Sequence, residues 1–390
     1  MSVKPVLAIC MVLDDDLTAR LDASRAAVNK LAFAAAGPQD ALRAFEIIRA
    51  AEKPTIALAM GEPGLASRIL AKKFRAFGTF AALRAGAESA PGQPTIDQLK
   101  RLYRWDDVGA STTVFGVIGC PVGHSMSPAV HNAALAAVGI NGVYVPLLVR
   151  PGAENFNALM EAILDRPWMN WRGLSVTIPH KENALAYLGS DTCDDLAVRI
   201  GAVNTMTIKP DGSVQGHNTD YASAVDALCE AMGIARKDLR GRKAAVLGAG
   251  GASRAIVAAL ARYGAWTTIY NRTVSRGESL AREFGVRSAP RDALDALDAE
   301  IVVNCTPIGM HPKTRATPLK KIPPCVKVVF DTIYNPIETR LLRQARDAGA
   351  LTVSGLDMFV NQAAAQFRLW TKKPAPRDVM RDVVVQRLRR

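Results

Sequence analysis

The stretch VLGAGGAS, residues 246–253, decides the fold. It overlaps the end of the short apolar run KAAVL (residues 243–247) and opens an alanine-rich segment with helical spacing at 252–263. Strand, glycine turn and helix in that order are what a dinucleotide-binding βα unit requires. Gly248 permits the tight turn, and Gly250 lets the backbone approach a pyrophosphate. The helix N-terminus near Ala252 and Ser253 offers free N–H groups to phosphates, and Ala249 and Gly251 complete the loop. A glycine turn can also serve strand–helix packing alone, so its neighbours carry the choice.

Further β/α alternation follows, with strands expected at 266–270, 301–304 and 327–331 and a helix at 274–284. Residues 241–355 therefore read as a Rossmann-type α/β domain. A chain that binds NAD usually ends the second strand on a carboxylate, which takes the ribose 2′-OH. Here that strand ends IYNRT, residues 269–273, without one. Arg272 can instead pair with a 2′-phosphate, helped by Asn271, Thr273 and Arg276, and this points to NADP.

Upstream stand LSVTIPHK (174–181) and HNTD (217–220), each closing on an ionisable residue. Reducing a ketone needs a hydride on carbon and a proton on oxygen. Lys181 can donate that proton, and Asp220 can orient the lysine and bind a substrate hydroxyl. Taken alone, the two residues would favour a structural ion pair that only clamps the cleft.

Seven motifs in one order reverse that balance: VIGCPVGHSMSP (117–128), the Thr177/Lys181 segment, GAVNT (201–205), NTD (218–220), the glycine loop, NCTPIGM (304–310) and GLDMFVNQ (355–362). From about residue 113 onward the chain resembles the shikimate dehydrogenases. The resemblance implies NADP-dependent, reversible reduction of 3-dehydroshikimate to shikimate, a step towards chorismate and the aromatic amino acids. It makes Lys181 and Asp220 the catalytic pair. Ser125 and Ser127 match the serines that hold the substrate carboxylate, with Tyr334 near it. Thr177, Asn204 and Gln362 match ligands of the ring hydroxyls, while Ile333 and Gly355 join the cofactor positions. His124, His180 and His217 are expected to support these motifs rather than carry protons. The implied domains are 109–219 for substrate, completed by 355–390, and 220–354 for NADP, with the active site in the cleft between. Two rivals stay open: an NAD-dependent quinate/shikimate dehydrogenase and a non-catalytic regulatory binding protein.

Residues 4–105 are different. Strands at 6–12, 30–35, 55–60 and 78–83 alternate with helices at 17–28, 38–51, 64–74 and 95–103, giving four β/α units, half of an eight-stranded barrel. A polar linker, RWDDVGASTT (104–113), follows. Through MGEPGLASR (60–68) and SAPGQ (89–93), the segment resembles the C-terminal half of a type I 3-dehydroquinate dehydratase. Lys30 matches its Schiff-base lysine, and Arg68, Ser89 and Gln93 match its carboxylate- and hydroxyl-binding positions. The barrel's first half is absent, and so is the histidine expected near residues 9–13; the first histidine is His124. The dehydratase reaction is accordingly expected to be lost, the alternative being a bifunctional dehydratase/dehydrogenase. Such a half-barrel leaves open edges and an apolar face that need cover. The cover is either its own dehydrogenase portion or a second copy, and pairing into a homodimer is the favoured expectation.

Composition narrows the remaining classes. No apolar run approaches the roughly 20 residues of a membrane span, and the N-terminus is unlike a secretory signal, so a cytoplasmic protein without a membrane partner is expected. Six scattered cysteines without a CxxC pair, and five histidines without HExxH spacing, point to no metal and no disulfide. The net charge of +13 is spread and lacks nucleic-acid-binding signatures; a positive field favours anionic small molecules instead.

Overall fold

A computed structural model describes residues 7–10 and 17–389; part of the 9–13 stretch, where a dehydratase histidine would fall, lies outside the described residues. The chain divides into two compact units, Met1–His217 and Asn218–Arg390.

The first unit opens with three parallel strands, β1 (Leu7–Cys10), β2 (Asn29–Ala34) and β3 (Thr55–Met60), in the order 1-2-3. They are joined through α1 (Leu17–Ala23) and α2 (Gln39–Ala50), and α3 (Leu65–Ile69) follows β3. In α2 the residues Ala41, Leu42, Phe45 and Ile48 fall on one helical face and are buried. The expected fourth strand at 78–83 does not form; only a single bridge joins Ala82 to Thr95. Phe77 N–H still bonds Thr55 O, but GTFAAL has one β-branched residue to pack on a pleated edge, and Phe77 and Leu83 end up exposed. The helix expected at 95–103 is shorter, with its π-helical part at Gln98–Leu102.

The same unit continues with β4 (Thr113–Gly119), β5 (Gly142–Leu148), β6 (Trp171–Val176), β7 (Thr205–Ile208) and β8 (Val214–His217), in the order 5-4-6-7-8. β4 pairs parallel with β5 and β6, while β7 and β8 run antiparallel. Around them lie α4 (Ser127–Ala137), α5 (Ala153–Leu164), α6 (Lys181–Leu188) and α7 (Asp195–Ile200). The core strands are almost wholly buried, as strands covered on both faces must be.

The helix layer of the half-barrel packs against its own chain. α2 packs on α5 and α3 on β5, within one continuous hydrophobic core. Phe74 lies 4.3 Å from Phe45 and meets Trp168 edge-on at 5.2 Å, and the Arg49 guanidinium sits 4.1 Å over the same Trp168 ring. Arg166 pairs with Glu46 at 2.8 Å. Buried Lys73 donates to Ala110 O (2.9 Å) and Thr112 O (2.6 Å), and burial pushes its pKa down to about 8. The residues that supply the cover lie roughly 100 positions downstream, where the pattern of 4–105 gives no hint of them.

The second unit holds α8 (Thr219–Met232) and six parallel strands: β9 (Lys243–Leu247), β10 (Trp266–Asn271), β11 (Arg287–Pro290), β12 (Ile301–Asn304), β13 (Val328–Asp331) and β14 (Leu351–Ser354). Their order is 11-10-9-12-13-14, which in chain rank is the doubly wound 3-2-1-4-5-6, with the switch point between β9 and β12. The helices are α9 (Gly251–Arg262), α10 (Val274–Phe284), α11 (Arg340–Asp347), α12 (Gly355–Thr371) and α13 (Arg377–Leu388). Residues 355–390, assigned to the substrate domain by resemblance, belong here to the second compact unit, where α12 packs along α8.

The aromatic seam yields a stability test. Phe74→Ala should cost about 3 kcal/mol, the lower end for a core phenylalanine, and lower the midpoint of the unit that includes β4–β8. Urea unfolding followed by tryptophan fluorescence and circular dichroism measures this. A separate early transition confined to residues 7–105 would contradict the shared core.

Candidate active site

The turn after β9 is shaped by two kinds of glycine. Gly248 has φ +107°, and a Cβ there would come within 3.1 Å of Thr306 Cγ2, so a side chain at this position would be strained. At Gly250 and Gly251 an added Cβ would meet no protein atom within 4 Å; here the backbone faces open space that a ligand can fill. Ser253 is fully buried, and its Oγ accepts from Gly250 N–H at 3.3 Å, holding the turn from inside.

A cavity of about 290 Å³ extends from this turn. Gly248, Ala249 and Gly250 form one wall, Asn271, Arg272 and Thr273 from the end of β10 another, and residues 305–308 after β12 a third. Asn271 Nδ2 donates to Thr273 O at 2.8 Å, folding the turn on which Arg272 sits. Three arginines, Arg272, Arg276 and Arg291, line the cavity, and among the described residues no carboxylate does. Arg291 was not legible in the sequence. It begins a turn after β11, and only the β10–β11 pairing brings it beside the NRT segment. The donor set fits a dinucleotide that carries an extra phosphate on its ribose.

Elsewhere in the second unit, Asp220 lies in the first turn of α8, whose cap is Asn218 Oδ1 accepting from Tyr221 N–H at 3.3 Å. Gln362, on the neighbouring α12, is mostly buried and donates from Nε2 to Phe359 O at 3.1 Å. The Tyr334 ring lies 5.1 Å from Phe359, and burial pushes its phenol above the usual range. Ile333 is buried beside it. Gly355 opens α12 so close to the preceding segment that a Cβ would lie 2.3 Å from Thr332 O.

In the first unit the expected polar residues gather at the carboxyl ends of β4 and β6. Ser125 and Ser127 follow β4, and Ser127 N–H donates to Ser125 Oγ at 3.2 Å. Thr177 N–H donates to Ile118 O at 2.9 Å, and its methyl packs where a Cβ on Gly119 would be, 2.5 Å away. Asn204 is buried, its carbonyl accepting from Val176 N–H (2.8 Å) and its Oδ1 from Thr205 Oγ1 (2.8 Å). Lys181 opens α6, and its carbonyl accepts from Val203 N–H at 2.9 Å. The histidines differ from one another. His180 is buried with both nitrogens engaged: Nε2 donates to Val149 O (2.8 Å) and Nδ1 accepts from Asn183 (3.0 Å). His217 Nδ1 lies 3.2 Å from Asp194 Oδ2, and His124 is exposed.

Of the dehydratase-like residues, Ser89 and Gln93 are joined: Gln93 Oε1 accepts from Ser89 N–H (2.8 Å) and Oγ (3.2 Å). Arg68 is buried, which lowers its pKa, and Lys30 is half-buried with Nζ 4.2 Å over the Phe80 ring. Among the described residues no hydrogen bond links Lys30 or Arg68 to the Ser89–Gln93 pair.

Against known proteins, the shikimate dehydrogenase substrate binding domain matches residues 117–206, the shikimate/quinate 5-dehydrogenase model 230–311, and the shikimate 5′-dehydrogenase C-terminal domain 355–385. A shikimate dehydrogenase (NADP(+)) from Methanosarcina acetivorans is 44% identical over 289 residues, 70% of this chain and 98% of that protein. The chain belongs to the shikimate dehydrogenase family. A solved shikimate dehydrogenase in complex with NADP+ superposes with a TM-score of 0.64 at 38% identity, covering 72% of this chain and 96% of that one. The type I 3-dehydroquinase model matches residues 15–110. A chloroplastic bifunctional 3-dehydroquinate dehydratase/shikimate dehydrogenase of Arabidopsis thaliana is 41% identical over 94% of this chain, which spans 61% of that relative's length.

The two kinds of glycine in this shikimate dehydrogenase family member make opposite predictions. Gly355→Ala should lower Tm by roughly 5–10 °C, because Thr332 must move, whereas Gly250→Ala should shift it by less than about 2 °C. Thermal unfolding by circular dichroism reads both. Equal shifts would contradict the close approach at Gly355.

Proposed function

We propose that this protein is an NADP-dependent shikimate dehydrogenase, interconverting 3-dehydroshikimate and shikimate. The observation that carries the reading is the cavity in the second unit, with open glycines at one wall, three arginines around it and, among the described residues, no carboxylate to take a ribose 2′-OH. NADP, when bound, supplies or accepts the hydride. Gly250 and the N-terminus of α9 receive its pyrophosphate, and Arg272, with Arg276 and Arg291, its 2′-phosphate. Ser125 and Ser127 bind the substrate carboxylate with Tyr334 near it, and Thr177, Asn204 and Gln362 bind ring hydroxyls. Ile333 and Gly355 border the cofactor. Lys181 holds the proton for the carbonyl oxygen, and Asp220 orients the lysine and accepts from a substrate hydroxyl. The gathering of Ser125, Thr177, Lys181 and Asn204 at one edge of the first unit's sheet supports this assignment.

The half-barrel, in the same reading, no longer dehydrates 3-dehydroquinate. A Schiff-base lysine works when desolvated and beside a base. Lys30 is only half-buried, and no histidine occurs among residues 1–123. The name of the Arabidopsis relative favours the bifunctional alternative, so incubation of the protein with 3-dehydroquinate decides. No rise in the ultraviolet absorbance of the conjugated product is expected. Turnover that disappears in Lys30→Ala would establish the bifunctional reading.

Shikimate oxidation coupled to NADP reduction tests the main reading and separates it from an NAD-dependent quinate enzyme and from a non-catalytic binder. Lys181→Ala should lose most turnover while NADP binding survives; near-normal turnover would remove the lysine from the proton step. Arg272→Ala should reduce the preference for NADP over NAD by about 10- to 100-fold, the worth of a charged phosphate contact. An equal loss for both cofactors would make Arg272 a support of the turn instead.

A further inference from the structure

Two motifs, NCTPIGM (304–310) and the segment that begins at Asp331, contain buried polar residues to which the proposed chemistry gives no task. Asp331 is fully buried at the end of β13. Its Oδ1 accepts from Asn304 Nδ2 at 3.0 Å and from Ile333 N–H at 3.1 Å, and its Oδ2 accepts from Thr339 Oγ1 at 2.7 Å. Asn304, fully buried at the end of β12, passes the connection on: its Oδ1 accepts from Thr306 N–H (3.0 Å) and Thr306 Oγ1 (2.6 Å). The Asn304 carbonyl accepts from Thr332 N–H (3.0 Å) and Oγ1 (2.9 Å). One carboxylate and one amide thereby tie together the loop that walls the arginine-lined cavity, through Thr306, and the segment that carries Ile333 and Tyr334.

We propose that Asp331 and Asn304 are positioning residues of the dinucleotide site, setting the 305–308 wall relative to the 332–334 segment without touching the ligand themselves. The proposal rests on reading the cavity as the NADP site. The physical reason is directional. All donors to Asp331 are neutral groups from three separate stretches of chain, and a buried acceptor that loses one of them has no water to replace it. An apolar pair could fill the volume but would leave Thr306 and Ile333 N–H free to turn. The branch to Thr339 serves a different end: Thr339 Oγ1 accepts from Leu342 N–H at 3.3 Å and caps α11, remote in function from the cavity wall. The network therefore has one arm directed at the ligand site and one arm directed at the fold, and the two can be cut separately.

The test is NADPH binding by fluorescence titration on the full-length protein, alongside thermal unfolding. Asp331→Ala and Asn304→Ala should each weaken NADPH about tenfold, and the double variant should lose less than the sum of the two, because both cut the Asn304–Asp331 link. Thr339→Val removes the cap of α11 and one donor to Asp331; it should lower Tm while leaving NADPH affinity within about twofold, since the bonds of Asp331 to Asn304 and Ile333 stay in place. Wild-type affinity in a folded Asp331→Ala or Asn304→Ala, additive losses in the double variant, or a Thr339→Val loss of affinity as large as that of Asp331→Ala would each overturn the proposal. Should Asp331→Ala fail to fold, Asn304→Ala and the milder Asn304→Ser test the link from its other end. A wild-type protein that binds no NADPH would refute the cofactor reading itself, an outcome distinct from all of these.

Discussion

Backbone crowding at the carboxyl edge of the parallel sheet constrains everything in the second unit. Six parallel strands end along one line, and the segments leaving β9, β12 and β13 must share that space. Gly248 lets the first pass Thr306, and Gly355 lets α12 start against Thr332. Both approaches are tight enough that a Cβ would force a shift, whereas at Gly250 and Gly251 the backbone faces open space that a ligand can enter.

Such packing leaves few polar groups exposed to water, so those at the strand ends must satisfy one another. Asp331 bears the consequence: burial pushes its carboxyl up to about 6, against three hydrogen bonds that pull it the other way. Cys305, next to Asn304, is pushed up to about 12 by burial and stays a neutral thiol. The wall of the arginine-lined cavity is thus held by directional bonds from uncharged donors to one buried carboxylate and one amide, while the arginines stand at its accessible side. Positive charge stands at the open face of the cavity and is kept out of the buried network.

In the first unit the same economy appears as shared burial. The half-barrel's helices carry an apolar outer face, and α5 with Trp168 supplies the matching surface. A segment whose dehydratase chemistry is proposed to be lost is retained as part of a common core. The likeness to a bifunctional relative over 94% of the chain fits this continuity of packing across the former linker, where Lys73 binds the carbonyls of residues 110 and 112.

Local pattern was enough for much of this. The glycine turn with its strand and helix, the carboxylate-free NRT strand end and the ordered motifs from 117 to 362 are each readable within a dozen residues, because they depend on backbone conformation and side-chain chemistry that neighbours in sequence dictate. What depends on contacts between distant stretches was not readable. The run at 78–83 looks like a strand, yet its one bridge joins Ala82 to Thr95 and it adds no strand beside β3. Arg291 joins the cavity only through the pairing of β10 with β11, and the cover of the half-barrel comes from residues about 100 positions away. The Asp331–Asn304 bond unites two motifs 27 residues apart that the sequence shows only as separate words. Sequence by itself determined the elements and the chemistry each can offer; the tertiary structure decided which of them meet, since strand order and helix packing are set by burial of the whole chain and not by any local window.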